Sequence, residues 1–441
     1  RNEIDGLRAL AIIPVIIYHL NISLFDKGIL SGGYLGVDIF FVISGYVITN
    51  LILHDLLINK KFSLINFFER RIRRLLPVLI TVILFAYIFF YIFFLPDDFI
   101  NFSKSTYYSL FFTSNIFFHY LGFDYFITKK EILPLLHTWS LSVEEQFYIF
   151  FPIGLIIIYK FSNTLFLKNL FLALISFFLI SFLFSNWAKD NHISFNYYMI
   201  FSRGWELLSG CILAYLNFIS LGNKIKKKLN SNESDLICLF FLIIIILCLF
   251  FFNNQTPHPS YYTFIPVFSV FIIILFSENS HHFKKMAKNK ILIFVGLISY
   301  SLYVWHYPIF ALFNYLELSS LFDKFIALII TFGLSVITYF TIERPFRNKK
   351  IKFTPILIFI SFSLVIILFF KSNFFTNNYI YKKKEFHNLV KNNYTIINNC
   401  DSLKECNFIK KNSKKNIVFI GDSLLIPIAN SFTDKYNNVY N

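Results

Sequence analysis

Long apolar runs alternate with short polar or basic stretches along most of this chain. Each run has about 17 to 25 residues, which lets a helix cross the hydrocarbon core of a bilayer. Because lipid offers no hydrogen-bond partners, such segments must be helices whose backbone groups pair internally. The pattern predicts eleven spans, approximately at residues 4–24, 34–53, 75–95, 137–159, 165–184, 197–218, 236–252, 261–276, 291–313, 325–342 and 355–370. An amphipathic stretch at 99–120 predicts an interfacial or re-entrant helix instead of a twelfth span.

The lysines and arginines predict how these spans are oriented. If the N-terminus lies inside and the spans alternate, the inside loops carry 21 basic residues and the outside loops carry six. A bias of this kind is what the positive-inside rule requires. The sequence therefore predicts an all-α polytopic membrane bundle of about ten core transmembrane helices, with an eleventh helix that leads to an extracytoplasmic tail.

Composition supports the membrane class and narrows the choice of ligands. Of the 441 residues, 56% are hydrophobic and only 15% are charged, and the net charge is +16. Because the basic residues lie in loops between spans, we expect membrane lipids and no nucleic acid as partners. The five cysteines lack metal-ligand spacing, so no metal is expected. Three cysteines, Cys211, Cys238 and Cys248, lie in apolar runs. The other two, Cys400 and Cys406, lie in the tail, where their spacing allows a disulfide but does not require one.

Polar residues inside the apolar spans are costly and usually line a site. In the first span, Arg8 and His19 are eleven residues apart, close to three turns. Both therefore fall on one helix face, roughly 16 Å apart along the axis. One interpretation is a basic anchor at one end of a lumen and a proton-transferring imidazole further along. The other interpretation is an arginine that caps the helix and a histidine whose hydrogen bonds are satisfied in the interface between two helices.

Carboxylates mark the second and fourth spans. Asp38 follows a glycine-rich stretch and needs a partner inside the membrane if it has a functional role. The alternative is that this stretch only packs helices together and that Asp38 lies at the membrane interface. His137 and Glu144 are seven residues apart, again on one face of a helix. Glu145 stands beside Glu144, and two adjacent carboxylates within a span favour a functional role. One of them could accept a proton from an imidazole or pair with an arginine.

Further charged residues occur in the sixth and ninth spans and in one loop. Arg203 and Glu206 are three apart and could pair within one helix, as a functional or a purely structural pair. His306 lies in mid-span, just before a proline. The loop after the second span holds four arginines within five positions, which suits phosphate groups, although anionic lipid headgroups or simple topology would also explain it. These residues are Arg70, Arg71, Arg73 and Arg74.

Together these motifs resemble the acyltransferase-3 family of bacterial membrane O-acyltransferases, in the form fused to a C-terminal SGNH-type domain. The resemblance covers residues 1 to about 350, with the motifs in the family's order. It implies that Arg8 and His19 are essential and that the arginine cluster is functionally important. The motifs that carry it are Glu3 to Ala9 with His19, Gly33 to Gly45, Arg70 to Arg74, His137 to Gln146, and Trp305 with His306.

The resemblance also implies a reaction. Acyl-CoA, usually acetyl-CoA, would be the cytoplasmic donor, and a hydroxyl of a cell-surface glycan or lipid-linked saccharide would be the acceptor. The arginine cluster could hold the phosphates of CoA and Arg8 could orient the donor. His19, with Glu144 or His137 near it, could deprotonate the acceptor or take up the acyl group. The resemblance places the protein in the bacterial cytoplasmic (inner) membrane.

Two other functions compete with this one. A transporter or flippase of acyl donors or lipid-linked sugars would also line its path with intramembrane charges. Alternatively, the tail alone would be an esterase that a passive membrane domain anchors.

Three domains are predicted: the transmembrane acyltransferase domain at 1–350, a linking transmembrane helix at 351–372 and an extracytoplasmic segment at 373–441. Within the last segment, residues 416–424 read as a strand that turns into a helix. This resembles the first block of SGNH hydrolases and places their nucleophile at Ser423. The later blocks of that family are absent, so we expect a partial α/β domain without hydrolase chemistry, from a truncated sequence or an inert tail.

Overall fold

A computed structural model describes residues 2–24, 27–121, 130–222 and 229–371, and this part of the chain is almost entirely helical. One antiparallel pair of two-residue strands, Ser23–Leu24 with Lys27–Gly28, follows the first helix. The α-helices are α1 (Asn2–His19), α2 (Gly36–Leu53), α3 (Leu64–Phe93), α4 (Pro96–Leu110), α5 (Ser114–Leu121), α6 (Thr138–Ser162), α7 (Phe166–Asn191), α8 (Ile193–Tyr198), α9 (Ile200–Phe218), α10 (Ser231–Phe251), α11 (Tyr261–Phe276), α12 (His281–Ala287), α13 (Lys290–Leu297), α14 (Ser299–Tyr315), α15 (Leu321–Thr338), α16 (Arg344–Arg347) and α17 (Phe353–Lys371).

Each of the eleven predicted spans overlaps helix, although the first runs past the end of α1 into the strand Ser23–Leu24 and the sixth crosses a break at Met199. Within the described residues, six helical segments are long and apolar enough to cross a membrane, or up to eight if each of two bent helix pairs forms one span. The all-α membrane bundle is thus confirmed, whereas the number of about ten core spans stays a prediction. The stretch at 99–120 forms the helices α4 and α5, and their interfacial position also stays a prediction.

Burial separates central helices from peripheral ones. The apolar window of α2 and its flanking turns is 67% buried, whereas that of α7 is only 22% buried. On α7 the exposed side chains include Phe177, Ile180 and Leu183, which follow one another at helical spacing. An apolar face of this kind on a peripheral helix suits contact with lipid, as expected of a multi-pass membrane protein.

Glycines bring α2 and α9 into close contact at the centre. A Cβ atom built on Gly45 would lie 1.9 Å from the carbonyl oxygen of Leu207, and one on Gly210 would lie 2.0 Å from that of Val42. Only glycine fits at either position, because a side chain would overlap the backbone of the other helix. This close crossing confirms that glycines of the second span serve helix packing, and it fixes the register of α2 against α9.

The ninth predicted span is wrong as a single continuous helix. It consists of α13 and α14, which meet at an angle of 65° around Ile298. Backbone packing accounts for the position of α13, because a Cβ on Gly296 would lie 2.0 Å from the carbonyl oxygen of Asp5 in α1. The bend places the first residues of α14, Ser299 and Tyr300, at the wall of a partly open cavity.

Candidate active site

A partly open cavity of about 750 Å³, including the open space at its mouth, lies among α1, α2, α3, α6 and α14. All of its lining residues belong to the unit formed by residues 1–93 and 101–366. Its charged lining residues come from three helices that are far apart in the sequence. These residues are Arg8, Arg71, Arg74, Glu144 and Glu145. We call this space the first cavity.

Glu144 is held in the first cavity by two hydroxyl groups. Both Ser44 of α2 and Tyr148 of α6 donate hydrogen bonds to its Oε1 atom. The guanidinium group of Arg71 lies over the ring of Tyr148, 3.9 Å from the ring centroid. Two donors and a nearby cation stabilise a carboxylate. The neighbouring Glu145 is buried, and its Oε1 atom has no hydrogen-bond partner in the described part of the chain.

The four clustered arginines do not form one set. Arg71 and Arg74 line the first cavity, since residues three apart share a helix face. Arg70 instead lies 3.7 Å from the carboxylate of Asp55. Arg73 donates to Glu69 at 2.7 Å, and to the carbonyl oxygen of Ile351 at 3.0 Å, which ties α3 to the segment before α17. Phosphate binding therefore remains a prediction for Arg71 and Arg74, while Arg70 and Arg73 are engaged elsewhere.

Tyr303 separates the first cavity from a group of histidines. Its hydroxyl group donates to the carbonyl oxygen of His137 at 2.7 Å and lies 2.6 Å from the hydroxyl oxygen of Ser140. The rings of His137 and Tyr303 are in contact, with centroids 5.3 Å apart. A solute in the first cavity that reaches Tyr303 is thus adjacent to the imidazole of His137.

The three histidines form one cluster, which we call the histidine cluster. His19 is the last residue of α1, His137 immediately precedes α6 and His306 lies in the middle of α14. Nε2 of His306 lies 3.3 Å from Nδ1 of His19, and the ring centroids of His137 and His306 are 5.3 Å apart. Tyr307 completes the group by stacking on His137, with centroids 5.4 Å apart.

Hydrogen bonding places the proton on Nδ1 in the imidazoles of both His306 and His19. Nδ1 of His306 lies 2.6 Å from the carbonyl oxygen of Tyr303, and a carbonyl oxygen can only accept, so this nitrogen carries a proton. In the neutral ring Nε2 of His306 is then an acceptor, and Nδ1 of His19 must donate to it. In a neutral His19 ring, Nε2 is then the nitrogen that carries no proton.

These contacts distinguish the two residues expected beside His19. The expectation was that Glu144 or His137 would lie near it. His137 lies in the same cluster, where it packs against His306, and His306 is the hydrogen-bond partner of His19. Glu144 lies in the wall of the first cavity, where it accepts hydrogen bonds from Ser44 and Tyr148.

A second buried charge cluster centres on Arg203 of α9. Its Nη1 atom lies 2.8 Å from Asp38 Oδ1 of α2 and 3.2 Å from Glu206 Oε1, one turn along α9. Nε2 of His258 lies 2.8 Å from the same Nη1 atom. The predicted pairing of Arg203 with Glu206 is confirmed, and Arg203 is also the partner that Asp38 needed.

Aromatic rings connect this charge cluster to the histidine cluster. The ring of His258 lies 4.8 Å from that of Tyr34, and Tyr34 lies 5.7 Å from Tyr18, by centroids. Tyr18 in turn is 5.1 Å from His19. The polar groups therefore form a continuous series from the first cavity, through Tyr303 and the histidines, to Asp38 and Arg203.

Several residues of this series were not singled out from the sequence. Tyr148 stands four residues after Glu144 and Tyr303 stands three before His306, so helical spacing was a signal for both. Ser44 is a lone hydroxyl on a different span from its partner, and His258 lies between two prolines outside the predicted spans. Nothing in the local sequence links Ser44 or His258 to a partner that is more than 50 residues away.

Two predicted features lie elsewhere. Ser423 and the cysteines Cys400 and Cys406 fall outside the described residues. Within the described residues, no group of three or more histidine, cysteine or carboxylate side chains is arranged to hold a metal ion.

Comparison with known proteins gives the family. The acyltransferase-3 family, described as an acyltransferase domain, matches residues 1–344. O-acetyltransferase OatA of Staphylococcus aureus (strain NCTC 8325 / PS 47) is 33% identical over 357 residues, which are 79% of this chain and 57% of the relative. A protein of S. aureus strain MRSA252, provisionally named as an O-acetyltransferase, is 30% identical over 464 residues, covering 97% of this chain and 74% of that protein.

This chain spans little more than half the length of the OatA relatives it matches. No solved structure matches it. The family match covers the whole of the first cavity and of the histidine cluster. The chain therefore belongs to the acyltransferase-3 family and contains its acyltransferase domain.

Proposed function

We propose that this protein is an O-acyltransferase, specifically an O-acetyltransferase. It takes the acyl group from cytoplasmic acetyl-CoA and transfers it to a hydroxyl of a cell-surface glycan or lipid-linked saccharide. It does so within the bacterial inner membrane, with its N-terminus in the cytoplasm. The observation that carries the proposal is the first cavity, which has arginines in its wall and ends at Tyr303, in contact with the histidine cluster.

The wall of the first cavity suits an anionic thioester. Arg8, Arg71 and Arg74 provide three guanidinium groups, which bind phosphate and polarise carbonyl oxygens well. Valine and phenylalanine side chains of α2, Val37 and Phe40, form an apolar part of the wall. A donor with a charged end and a short acyl end fits such a mixed lining.

The histidine cluster suits the proton transfer that acyl transfer requires. As the acceptor oxygen attacks the thioester carbonyl, a C–O bond forms, the C–S bond breaks and the hydroxyl proton must leave. Nε2 of His19 takes this proton, and His306 holds the ring by accepting from its Nδ1 atom. The proton then passes to the thiolate, so that the free thiol and the ester are the products. Relatives named as O-acetyltransferases support an acetyl donor.

The test uses the purified protein reconstituted in vesicles, radiolabelled acetyl-CoA and a purified surface glycan or lipid-linked saccharide, with no other enzyme present. We expect label on the glycan, and a His19→Gln variant that lowers the rate by about 10²- to 10⁴-fold. The matched control is His281→Gln, at an exposed position on α12. Label that never reaches the glycan, while donor or lipid-linked sugar crosses the membrane, would instead identify a transporter. Equal rates for the two histidine variants would remove His19 from the mechanism.

A further inference from the structure

A second cavity, of about 890 Å³, adjoins the first one. The two cavities share three lining residues, Arg8, Val47 and Arg74. The second cavity extends from these residues to Arg347 of α16, and it lacks the histidines, Tyr303 and Glu144. A ligand that occupies both cavities would therefore place one end beside Tyr303 and the other end beside Arg347.

The charges in this second cavity favour a multiply charged anion. Three guanidinium groups line it, those of Arg8, Arg74 and Arg347, against one carboxylate, that of Asp5. Asp5 is already paired with Arg8, at 2.9 Å, and so does not neutralise the other two arginines. Nε of Arg74 is buried and has no hydrogen-bond partner in the described part of the chain. An unpartnered Arg74 nitrogen and a second guanidinium group, that of Arg347, at one cavity form an arrangement that suits a phosphate group.

A buried carboxylate, that of Glu343, holds Arg347 in place. One of its nitrogens, Nη1, donates to Glu343 Oε1 at 3.3 Å, and Oε2 of Glu343 accepts from Ser301 at 2.7 Å. Glu343 is almost fully buried, whereas Arg347 is 41% exposed. The buried carboxylate thus orients the guanidinium group and leaves its remaining N–H groups directed away from Glu343, where an anion can reach them.

The same short helix provides a natural control. Arg344 is three residues from Arg347 and carries the same charge. Its guanidinium group lies over the ring of Phe340, 6.0 Å from the centroid, and it lines neither cavity. The two arginines therefore differ in position relative to the cavity and not in chemistry.

We propose that the second cavity holds the phosphate groups of the acyl donor, with Arg347 and Arg74 as their contacts, while the thioester end lies in the first cavity. The proposal rests on the proposed function, because it takes a phosphorylated thioester as the donor. It assigns phosphate recognition jointly to α3 and α16. Arg347 was not among the arginines that the sequence pointed to.

The experiment measures binding without catalysis. CoA is titrated into the full chain in nanodiscs of neutral lipid, followed by calorimetry, with pantetheine as the probe that lacks phosphate groups. Loss of a hydrogen bond between charged groups weakens binding about tenfold to a hundredfold, so we expect this loss for CoA with Arg347→Gln. The CoA affinity of Arg344→Gln should stay within about twofold of the wild-type value, because Arg344 lies outside the cavity. Pantetheine binding should be the same in both variants, and Arg347→Lys should retain part of the CoA affinity.

Each other outcome counts against a definite part of the account. Equal CoA affinity in Arg347→Gln and Arg344→Gln overturns this proposal and leaves the proposed function standing. If Arg347→Gln loses as much affinity for pantetheine as for CoA, the substitution causes a general structural defect, and this outcome would also overturn the proposal. In a second series phosphatidylglycerol is added to the nanodiscs. If Arg347→Gln weakens binding of this lipid and not of CoA, the cavity holds a lipid headgroup instead. Wild-type protein that binds no CoA would contradict the proposed function as well.

Discussion

Nε2 of His306 lies 3.3 Å from Nδ1 of His19, although the two residues are 287 positions apart in the chain. The contact joins the end of α1 to the middle of α14, beyond the bend that separates α13 from α14. His306 donates its own Nδ1–H to the carbonyl oxygen of Tyr303, which fixes it as the acceptor of the pair. In this arrangement one histidine orients the other, which is the geometry that the proposed role of His19 as a base requires.

The role of His306 can be tested by comparing two substitutions. His306→Phe removes the acceptor for the Nδ1–H of His19, and we expect kcat to fall about 10²-fold because the base loses its orientation. His306→Gln offers an amide oxygen in place of the acceptor nitrogen, so it should retain more activity. The measurement is initial rate against donor concentration, with His281→Gln as the control. Equal activity of the Phe and Gln variants would show that His306 only fills space.

The arginine cluster should divide into two functional pairs. Arg71→Gln removes a guanidinium group from the first cavity, and we expect the donor KM to rise about tenfold or more, as for a lost bond between charged groups. Arg70→Gln lies outside the cavity and pairs with Asp55, so it should change KM by about twofold or less. Donor saturation curves for the two variants check this. If both arginines give the same rise in KM, then the cluster acts through its overall charge and not through the cavity.

The charge cluster around Arg203 should matter first for stability. Asp38→Asn leaves a fully buried guanidinium group with less compensation, and breaking a buried pair from one side costs about 3 to 5 kcal/mol. The control is Asp190→Asn, which removes the ion pair between Asp190 and Lys189. The Asp190 side chain is 66% exposed, and an exposed pair contributes about 0 to 1 kcal/mol to stability. Thermal unfolding of the two purified variants is compared. A Tm for Asp38→Asn that matches that of Asp190→Asn would show that Asp38 does not stabilise the fold.

The crossing of α2 and α9 should not accept a methyl group. In Gly45→Ala the new Cβ would lie 1.9 Å from the carbonyl oxygen of Leu207, so the helices must move apart, at a cost of about 1 to 3 kcal/mol or more. Gly154→Ala in α6 places its Cβ where no atom lies within 4 Å, and alanine favours the helix by about 1 kcal/mol. Thermal unfolding should therefore shift in opposite directions in the two variants. A stabilised Gly45→Ala variant would contradict the observed crossing.

Local spacing predicted the parts of this structure that depend on a single helix. The pairing of Arg203 with Glu206 follows from their separation of three residues, and it is present. The division of the arginine cluster does not follow from spacing in this way, because Arg70 is four residues from Arg74 and shares its face as Arg71 does. Asp55 on one side and the first cavity on the other separate them. Contacts within one helix are fixed by its period, so such statements need no knowledge of the bundle.

Contacts between helices could not be predicted in the same way. Nothing near His306 in the sequence identifies His19 as its partner, and nothing near Asp38 identifies Arg203. The bend at Ile298 depends on the fit of Gly296 against the backbone of Asp5, which is a property of the packed bundle. A single glycine inside an apolar run is tolerated in a helix and gave no sign of the break.

Transfer from one side of a membrane to the other tests the central claim most directly. The protein is reconstituted in vesicles with a defined orientation, radiolabelled acetyl-CoA is supplied on the side of α16 and Arg347, and the glycan acceptor is enclosed on the opposite side. The account predicts that label reaches the glycan across the membrane, and that Arg71→Gln and His19→Gln each slow this transfer while Arg70→Gln does not. Label that reaches the glycan only when donor and acceptor share one side would contradict a path from the arginine-lined cavities to the histidine cluster.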